Sequence, residues 1–197
     1  AMSGIEKLLE KQNFSHFNLS VFSSSILPKE QLTQRDNMKK ILSETESFVS
    51  SFPNGQNLFF YGSSGLGKTY LCNCIAKDLL DKGHSVIYQT PFSIISILER
   101  KAFTEKNNPF VQMAYDQLFN VDLLIIDDLG TESANTFTIS EFYNIINTRI
   151  QNEKSTIIST NIKLSELVSF YNDRIDSRIK GHYNLIKFFG PDIRWES

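Results

Sequence analysis

The chain has 197 residues, of which 41% are hydrophobic and 21% charged, and its formal net charge is −2. This length fits one domain with an ordinary core, and the charge excludes a basic, histone-like protein. Its only cysteines, Cys72 and Cys74, are too few for a disulfide framework, so we expect packing roles and a cytoplasmic location. No apolar run reaches the roughly 18 residues of a membrane span, and no signal-peptide pattern opens the chain.

The N-terminal 28 residues are polar with spaced aromatics and end at Pro28. We interpret residues 1–28 as a strap over an ATPase domain that spans residues 29–197. The predicted anchors of the strap are Phe14, Phe17 and Phe22. Met is the second residue rather than the first, so we expect the natural chain to extend further upstream. Apolar residues then recur at helical spacing over residues 29–52, before Pro53-Asn54-Gly55.

Short apolar runs alternate with helical patterns along the rest of the chain. The predicted strands are Leu58–Tyr61, Ser85–Gln89, Val121–Asp127, Thr156–Ser159 and Leu185–Phe189. The predicted helices are Lys68–Asp81, Phe92–Phe103, Pro109–Phe119, Ile139–Asn152 and Leu164–Ile179. Such alternation predicts right-handed βαβ crossovers and a parallel sheet with helices on both faces, an α/β fold.

A phosphate-binding motif follows the first of these strands. The sequence GSSGLGKT, residues 62–69, matches GxxxxGK[ST] between a strand and a helix, as the motif requires. Its glycines let backbone amides converge on phosphate oxygens, and the helix N-terminus attracts negative charge. Lys68 is expected to reach the β- and γ-phosphates, and the Thr69 hydroxyl to bind Mg²⁺. The predicted nucleotide-binding residues are Gly62, Ser63, Ser64, Gly65, Leu66, Gly67, Lys68, Thr69 and Tyr70.

Polar residues end two further strands. Asp127 and Asp128 close the run VDLLIIDD, and Asn161 closes TIISTN. Beside a phosphate loop, we interpret Asp127 as the carboxylate on the Mg²⁺ side and Asp128 as the group that orients or deprotonates water. Asn161 could then hydrogen-bond the γ-phosphate or the water. The alternative for all three is a capping or turn-forming role.

Three arginines near the C-terminus are further candidates. Arg174 and Arg178 lie four residues apart in a predicted helix and therefore share one of its faces. Arg194 follows the last strand in the turn GPDIR. Either position could supply a cation to the γ-phosphate, in cis or from a neighbouring subunit. The alternative is that these are solvated surface arginines.

The motifs GSSGLGKT, LLIIDDLG, ISTN and RIDSRIKG, in this order and with an extra strand between the first two, resemble those of AAA+ ATPases. More narrowly, they resemble the bacterial replicative helicase loaders of the DnaC/DnaI type and the IstB transposition ATPases. The resemblance covers about Asn13 to Arg194. It implies a three-layer α/β/α domain with a five-stranded parallel sheet and no separate helical lid. It also implies ATP and Mg²⁺ as cofactors.

The resemblance assigns roles to the motif residues. Lys68 and Thr69 would be the Walker A pair, and Asp127 the metal-side acid of Walker B. Asp128 takes the catalytic position where many AAA+ proteins have Glu, and this shorter carboxylate implies slow hydrolysis. Asn161 would be the sensor 1 residue.

The arginines also acquire roles from this resemblance. Arg178 resembles the finger that enters the ATP site of a neighbour, in a head-to-tail assembly that ATP favours, and Arg174 would support that interface. Arg194 resembles the sensor 2 arginine. The family places a DNA-contacting helix after the second strand, here the helix that carries Arg100, Lys101 and Phe103. Cations beside an aromatic ring suit single-stranded DNA, whereas the alternative is a solvated helix end with Phe103 in the core.

The expected function is therefore that of a helicase loader: an ATPase domain that assembles on single-stranded DNA and the replicative helicase when replication begins. The helicase would bind a domain upstream of Asn13, which this chain lacks. An IstB-like ATPase on duplex DNA is the alternative within the fold. A non-catalytic ATP-binding interaction module and a small-molecule kinase are the alternatives from other classes, and no membrane partner is expected.

Overall fold

A five-stranded sheet is the central layer of the computed structural model. The structure describes residues 8–54, 56–133 and 135–195, and of residue 195 it describes only the backbone. The strands are β3 (Leu58–Tyr61), β4 (Val86–Gln89), β5 (Leu123–Leu129), β6 (Ser155–Thr160) and β7 (Asn184–Lys187). Their order is β4-β5-β6-β3-β7, and every neighbouring pair is parallel. Parallel neighbours require crossovers, which the helices supply. The α/β prediction is confirmed.

Seven α-helices lie with both of their ends inside the described residues. They are α1 (Gln34–Ser51), α2 (Lys68–Asp81), α3 (Pro91–Glu99), α4 (Pro109–Asn120), α5 (Thr136–Gln151), α6 (Leu167–Phe170) and α7 (Asp173–His182). Residues 8–11 are also helical. Two short strands, β1 (Ile26–Leu27) and β2 (Leu32–Thr33), form an antiparallel pair before α1. After β7, the described chain has only a 3₁₀ turn over Ile193–Trp195.

The alternation of side chains along the strands divides the core between the two faces of the sheet. Leu58 and Phe60 of β3 pack with α1 and α2, whereas Phe59 packs with the helices of the other face, α3 to α7. All three of these residues are buried, with at most 2% of their surface exposed. Because a strand turns successive side chains to opposite faces, a sheet covered on both sides needs continuous apolar strands. This is the three-layer arrangement that the sequence predicts.

Three predicted helices differ from the observed ones. The helix predicted over residues 29–52 begins only at Gln34, because the Thr33 side chain caps it by accepting a 2.9 Å hydrogen bond from the Asp36 N–H. The single helix predicted over Leu164–Ile179 is wrong. The chain breaks between α6 and α7, where Asn172 accepts a 3.0 Å hydrogen bond from the Ile175 N–H and starts a new helix.

The third difference concerns the helix predicted over Phe92–Phe103. Its α-helical part ends at Glu99, and residues Arg100–Thr104 form a π-helical turn instead. Such turns are uncommon and often occur at functional positions. The turn carries all three residues predicted to contact DNA.

The described part of the N-terminal segment lies against the phosphate-loop side of the domain. Phe22 is buried, and Phe14 and Phe17 pack partly into the same core. Arg35 of α1 holds the segment by donating from Nε to the Phe22 carbonyl at 3.0 Å. The three aromatic anchors are therefore where the sequence predicts them, while residues 1–7 of the proposed strap lie outside the described residues.

The burial of the two cysteines agrees with the sequence. Cys72 and Cys74 are fully buried in α2, as expected for packing residues. Within the described ranges, no helix combines the length and the apolar character needed to cross a membrane.

Candidate functional site

A cleft of about 310 Å³ lies over the loop between β3 and α2 and brings the predicted motifs together. Open α/β sheets bind ligands at the carboxyl ends of their strands, and this cleft lies at that edge. The residues that line it are Gln12, Ser64, Gly65, Leu66, Gly67, Lys68, Thr69, Tyr70, Asp128, Asn161, Ile193 and Arg194.

The loop takes a backbone course that side chains would block. Gly62 and Gly65 both have positive φ angles, +143° and +72°. A Cβ atom at Gly62 would lie 2.1 Å from the Phe188 carbonyl oxygen, and one at Gly65 would lie 2.0 Å from the Asp192 carboxylate. The loop is therefore packed against the chain that follows β7, and its backbone can approach a ligand closely.

Lys68, the first residue of α2, is held by three acceptors. Its amine donates to the carbonyl oxygens of Gly62 at 2.6 Å and Ser63 at 2.7 Å, and to Asn161 Oδ1 at 2.8 Å. Burial lowers the pKa of Lys68, and the nearby carboxylates of Asp128 and Asp127 oppose this effect. The cation is thus fixed inside the loop, where it faces the cleft.

Asp127 accepts hydrogen bonds from three hydroxyl groups. Thr69 Oγ1 donates to its Oδ2 at 3.0 Å, and the Tyr88 hydroxyl donates to the same oxygen at 2.6 Å. Ser159 Oγ donates to Oδ1 in a short contact. Burial raises the pKa of Tyr88, so its hydroxyl stays protonated and remains a donor. The three hydroxyls fix the carboxylate beside the start of α2.

Asp128 and Asn161 form the opposite wall of the cleft. Asn161 Nδ2 donates to Asp128 Oδ1 at 2.7 Å, while the amide oxygen of Asn161 binds Lys68. Asp128 has φ of +69°, a left-handed conformation that few non-glycine residues adopt and that clusters at functional sites. The site therefore joins the ends of three elements: β5, β6 and the phosphate loop.

The donor set suits Mg²⁺, which prefers oxygen ligands, a small number of protein groups, and phosphate or water for the remainder. Thr69 Oγ1 and the Asp127 carboxylate lie next to each other and offer oxygen atoms only. In the described part of the chain, no group of three or more His, Cys, Asp or Glu residues could hold a metal by itself. A metal here would consequently need the oxygens of a phosphorylated ligand.

An apolar pocket of about 300 Å³ adjoins the cleft through Gly67 and Tyr70. Phe17 and Phe22 stack in it with ring centroids 5.7 Å apart, and Phe17 meets Tyr70 edge to face. A flat aromatic ring fits such a pocket, so the two cavities together match a nucleotide: a base beside its phosphates.

Arg194 reaches the cleft from the chain after β7. Its Nη2 lies 3.4 Å from Ser64 Oγ, and its guanidinium also binds Asp192 in the same turn. Arg194 lowers the pKa of Asp192 to about 2 by hydrogen bonding. The turn is tied to the phosphate loop, because the Ile193 N–H donates to the Gly65 carbonyl at 3.0 Å. This position places a cation at the edge of the cleft.

Arg178 does not line the cleft of its own chain. It lies on α7, half-buried, and its Nε donates to Asn147 Oδ1 of α5 at 2.8 Å. Arg174 is exposed one turn earlier on the same helix. An action of either residue on a nucleotide would therefore require a second copy of the chain.

The residues predicted to contact DNA share the π-helical turn. Arg100 forms a two-pronged ion pair with Glu105, at 2.7 and 3.2 Å, which occupies much of its guanidinium. Lys101 Nζ donates to the Lys106 carbonyl at 3.3 Å. Phe103 is 64% exposed and contacts Phe137 with ring centroids 5.0 Å apart, so it is not a core residue. Three further apolar side chains of α3 and α4 are exposed: Phe92, Phe110 and Met113.

Sequence reasoning missed two residues that hold the Asp127 carboxylate. Tyr88 lies on β4 and Ser159 on β6, the strands on either side of β5. Tyr88 lies in none of the motifs, and ISTN contains Ser159 without revealing its contact with Asp127, because both contacts depend on the order of the strands. The one available signal is that Ser159 precedes Asn161 by two residues at the same strand end. Asp192, which packs on Gly65, carries no signal either.

The chain is similar to proteins of bacterial replication. It is 28% identical over 152 residues to the replicative helicase loader DnaC of Escherichia coli K12, a match that covers 77% of this chain and 61% of that protein. It is 32% identical over 123 residues to the replication initiator DnaA of Aliarcobacter butzleri, or 62% of this chain and 27% of that protein. The chain thus spans less than two thirds of these relatives.

Solved structures show the same fold. A crystal structure of the DnaC helicase loader superposes with a TM-score of 0.72 at 25% identity, and covers 93% of this chain and 99% of that one. DnaI gives a TM-score of 0.70 at 23% identity over 95% of this chain and 93% of that one. DnaA bound to AMPPCP and single-stranded DNA gives 0.66 at 24% identity over 79% and 48%. The fold is that of an AAA+ P-loop domain.

The sequence profile of one family matches most of the chain. The profile is that of the IstB-like ATP binding protein, and it matches residues 26–178. This range includes the phosphate loop, both carboxylates, Asn161 and the arginines of α7. A match over this range shows that the chain belongs to the IstB-like family of ATP-binding proteins.

Proposed function

We propose that the chain is the ATP-hydrolysing domain of a replicative helicase loader. The observation that carries this proposal is that Lys68, Asp128 and Asn161 line one cleft, in a fold shared with DnaC over most of the chain. Asp127 is bound to Thr69, which lines the same cleft. The likeness to helicase loaders in sequence supports the choice within the family. The loader activity is part of this proposal, because the chain spans less than two thirds of the Escherichia coli loader that it matches.

The phosphate loop would bind the triphosphate of ATP. Its backbone amides and the N-terminus of α2 would hold the phosphate oxygens, and Lys68 would exchange its two carbonyl contacts for the β- and γ-phosphates. Thr69 and Asp127 would hold Mg²⁺, which supplies positive charge to the phosphates. Phe17 and Tyr70 would pack against the adenine base. This arrangement spans both cavities.

Asp128 would act on the attacking water. Its carboxylate lines the cleft and is fixed by one N–H of the Asn161 amide, and the second N–H of that amide would donate to the water or the γ-phosphate. General bases of this kind need hydrogen-bond reach to the water. Because Asp is shorter than Glu by one methylene, we expect slow hydrolysis that serves as a release switch.

Arginines would supply positive charge beside the γ-phosphate. Arg194 stands at the edge of the cleft in cis. Arg178 would come from a neighbouring subunit, with Arg174 at the same interface, since α7 lies away from the cleft of its own chain. Such a contact is head-to-tail, so it would build a spiral or an open filament unless the rotation closes.

The partners proposed for this domain are single-stranded DNA and the replicative helicase. Phe103 offers an exposed ring for base stacking, and Lys101 and Arg100 lie in the same turn. The pairing of Arg100 with Glu105 reduces its contribution, so Phe103 and Lys101 would carry most of the contact. The helicase would bind upstream residues, in keeping with the larger size of the loader relatives.

The test is the fluorescence anisotropy of labelled single- and double-stranded oligonucleotides, with and without Mg-ATP. We expect an ATP-dependent preference for single strands that Lys68→Ala abolishes and Phe103→Ala weakens. Lys77→Ala is the matched control, because Lys77 lies on the outer side of α2 and pairs with Asp81. Binding to neither oligonucleotide would contradict the DNA part of the proposal.

A second candidate rests on the family profile, which is that of IstB-like ATP-binding proteins. An ATPase of this kind would coat duplex DNA for transposition. The same anisotropy experiment separates the two, since a preference for duplex in the presence of Mg-ATP would favour the transposition ATPase. Hydrolysis that requires Asp128 would exclude a third possibility, a non-catalytic nucleotide-binding module.

A further inference from the structure

A β-bulge lies where β5 presents its two carboxylates. Ile126 of β5 pairs with Ile158 of β6, but the next pair is Leu129 with Thr160. Two residues of β5, Asp127 and Asp128, therefore oppose the single residue Ser159 of β6. This two-to-one count defines a bulge, and the left-handed φ of Asp128 belongs to it.

Ser159 binds both residues of the bulge. Its Oγ accepts the backbone N–H of Asp128 at 2.9 Å and donates its own proton to the Asp127 carboxylate. The side chain is 1% exposed, so no water competes for either contact. One hydroxyl thus holds the backbone of one acid and the carboxylate of the other.

The bulge explains how two adjacent residues serve one site. In a regular strand, successive side chains point to opposite faces of the sheet. Here Asp127 contacts Thr69 at the start of α2, and Asp128 contacts Asn161 in the cleft. Bulges re-aim side chains in this way and are frequent beside active sites. The extra residue turns the second carboxylate back toward the phosphate loop.

Tyr88 completes the arrangement from the other side of β5. Tyr88 lies on β4 and its hydroxyl donates to Asp127 Oδ2 at 2.6 Å, whereas Ser159 lies on β6 and binds Oδ1. Both carboxylate oxygens are therefore oriented by the neighbouring strands. With Thr69 and Asp127 holding a metal ion, these two contacts would keep the carboxylate oriented.

We propose that Ser159 and Tyr88 are positioning residues of the ATPase reaction: Ser159 sets both carboxylates through the bulge, and Tyr88 sets only the metal-binding carboxylate. This inference rests on the proposed function and deepens it. The two residues should have different consequences, because Tyr88 binds the Asp127 carboxylate, whereas Ser159 binds that carboxylate and also the backbone N–H of Asp128. Tyr88 should govern Mg²⁺ binding, and Ser159 both Mg²⁺ binding and hydrolysis.

The experiment measures binding of a fluorescent ATP analogue in EDTA and over a Mg²⁺ titration, and steady-state hydrolysis at saturating Mg²⁺. In Tyr88→Phe, we expect a rise of about 10-fold in the Mg²⁺ concentration that gives half of the maximal change in analogue binding. Groups that orient metal ligands have effects of this size. Its kcat at saturating Mg²⁺ and its affinity in EDTA should match those of the unmodified chain.

In Ser159→Ala, we expect the same loss of Mg²⁺ response together with a kcat that is lower by about 10-fold or more. Ser159→Thr keeps a hydroxyl and should recover part of both. Ser155→Ala is the matched control: Ser155 lies on the same strand, is 2% exposed, and its Oγ has no hydrogen-bond partner in the described structure. Tyr115→Phe on α4 is the control for Tyr88→Phe.

Thermal unfolding separates a positioning role from a purely structural one. If Ser159→Ala fails to fold, Tyr88→Phe still tests the inference, because that change leaves the bulge intact. An unchanged Mg²⁺ response in Tyr88→Phe, or a kcat that falls in it as far as in Ser159→Ala, would overturn the inference. If the unmodified chain itself shows no Mg²⁺ response, the proposed function fails instead.

Discussion

The side-chain oxygen of Asn161 accepts a hydrogen bond from the Lys68 amine at 2.8 Å, and this contact joins the end of β6 to the phosphate loop. The amide nitrogen of Asn161 holds Asp128 at 2.7 Å at the same time. Binding of a γ-phosphate would attract Lys68 away from this oxygen. We therefore propose that Asn161 senses the phosphate and passes its presence to Asp128.

Replacement of Asn161 by Ala tests this arrangement. We expect hydrolysis to fall by about 100-fold, because a donor that faces the reacting groups is lost. The affinity for ATP should stay within about 3-fold, since Lys68 retains its phosphate contacts and loses only a competing acceptor. The measurements are steady-state hydrolysis and nucleotide titration. Asn120→Ala, at the exposed end of α4, serves as control. An equal loss of binding and hydrolysis would contradict the sensing role.

Arg178 is expected to act on the site of a neighbour. Arg178→Ala should lower hydrolysis by about 10³-fold, the effect typical of a missing arginine finger, with little change in ATP affinity. Lys180→Ala on the same helix is the control, since Lys180 pairs only with Asp176 at the surface. Equal loss of hydrolysis and affinity would be inconsistent with a finger.

A mixture of two inactive variants gives a sharper test of the same residue. Asp128→Asn keeps Arg178, and Arg178→Ala keeps a complete site of its own. When mixed, the first should supply its finger to the second and restore part of the hydrolysis. We expect this recovery to increase with protein concentration, because it depends on assembly. A mixture that stays inactive would indicate that Arg178 acts within its own chain.

Arg149 is expected to be a stability determinant. It is fully buried, and it donates to the carbonyl oxygens of Leu118, Val121 and Ser155 at 3.1, 3.1 and 2.6 Å. Arg149→Met would keep the apolar stem but leave these acceptors unpaired, so the free energy of unfolding should fall by about 3 kcal/mol. Urea denaturation measures this, with Lys39→Met at an exposed site of α1 as control. A change below about 1 kcal/mol would contradict it.

Asp122 is expected to make stability depend on pH in acid. Hydrogen bonds from the Ser85 N–H and hydroxyl lower its pKa from 3.8 to about 2. A lowered folded-state pKa adds stability above pH 3.8 that is lost as the pH falls toward 2. Asp122→Asn should therefore be less stable than the unmodified chain at pH 7, and the difference should shrink below pH 4. Urea midpoints at several pH values measure this, and a constant difference would exclude the effect.

The sequence predicts the layers of this fold better than its turns. Continuous apolar runs of strand length, such as LLII of β5, identify strands from the local sequence. The break between α6 and α7 is different, because Leu167 and Ile175 keep helical spacing across it while Asn172 starts a new helix. Apolar periodicity records which side chains are buried and not whether the backbone between them is continuous. The strand order likewise depends on contacts distant in sequence.

Some residues of the candidate site could likewise be predicted from local sequence, and others could not. The phosphate loop and the pair Asp127-Asp128 follow from local motifs whose chemistry needs those residues at that spacing. The hydroxyls of Tyr88 and Ser159 could not be found in this way, because only the packing of β4 and β6 beside β5 brings them to the carboxylates. Motifs mark the residues that we propose to bind the nucleotide, whereas the contacts of Tyr88 and Ser159 with Asp127 depend on the order of the strands.

The measurement that tests the account most directly is ATP hydrolysis by the unmodified chain and by Asp128→Asn, with nucleotide affinity measured in parallel. The account predicts slow, Mg²⁺-dependent hydrolysis that Asp128→Asn reduces by about 100-fold or more, while ATP still binds with nearly the same affinity. Hydrolysis that persists in this variant, or ATP binding lost together with it, would contradict the role assigned to Asp128 and to the cleft.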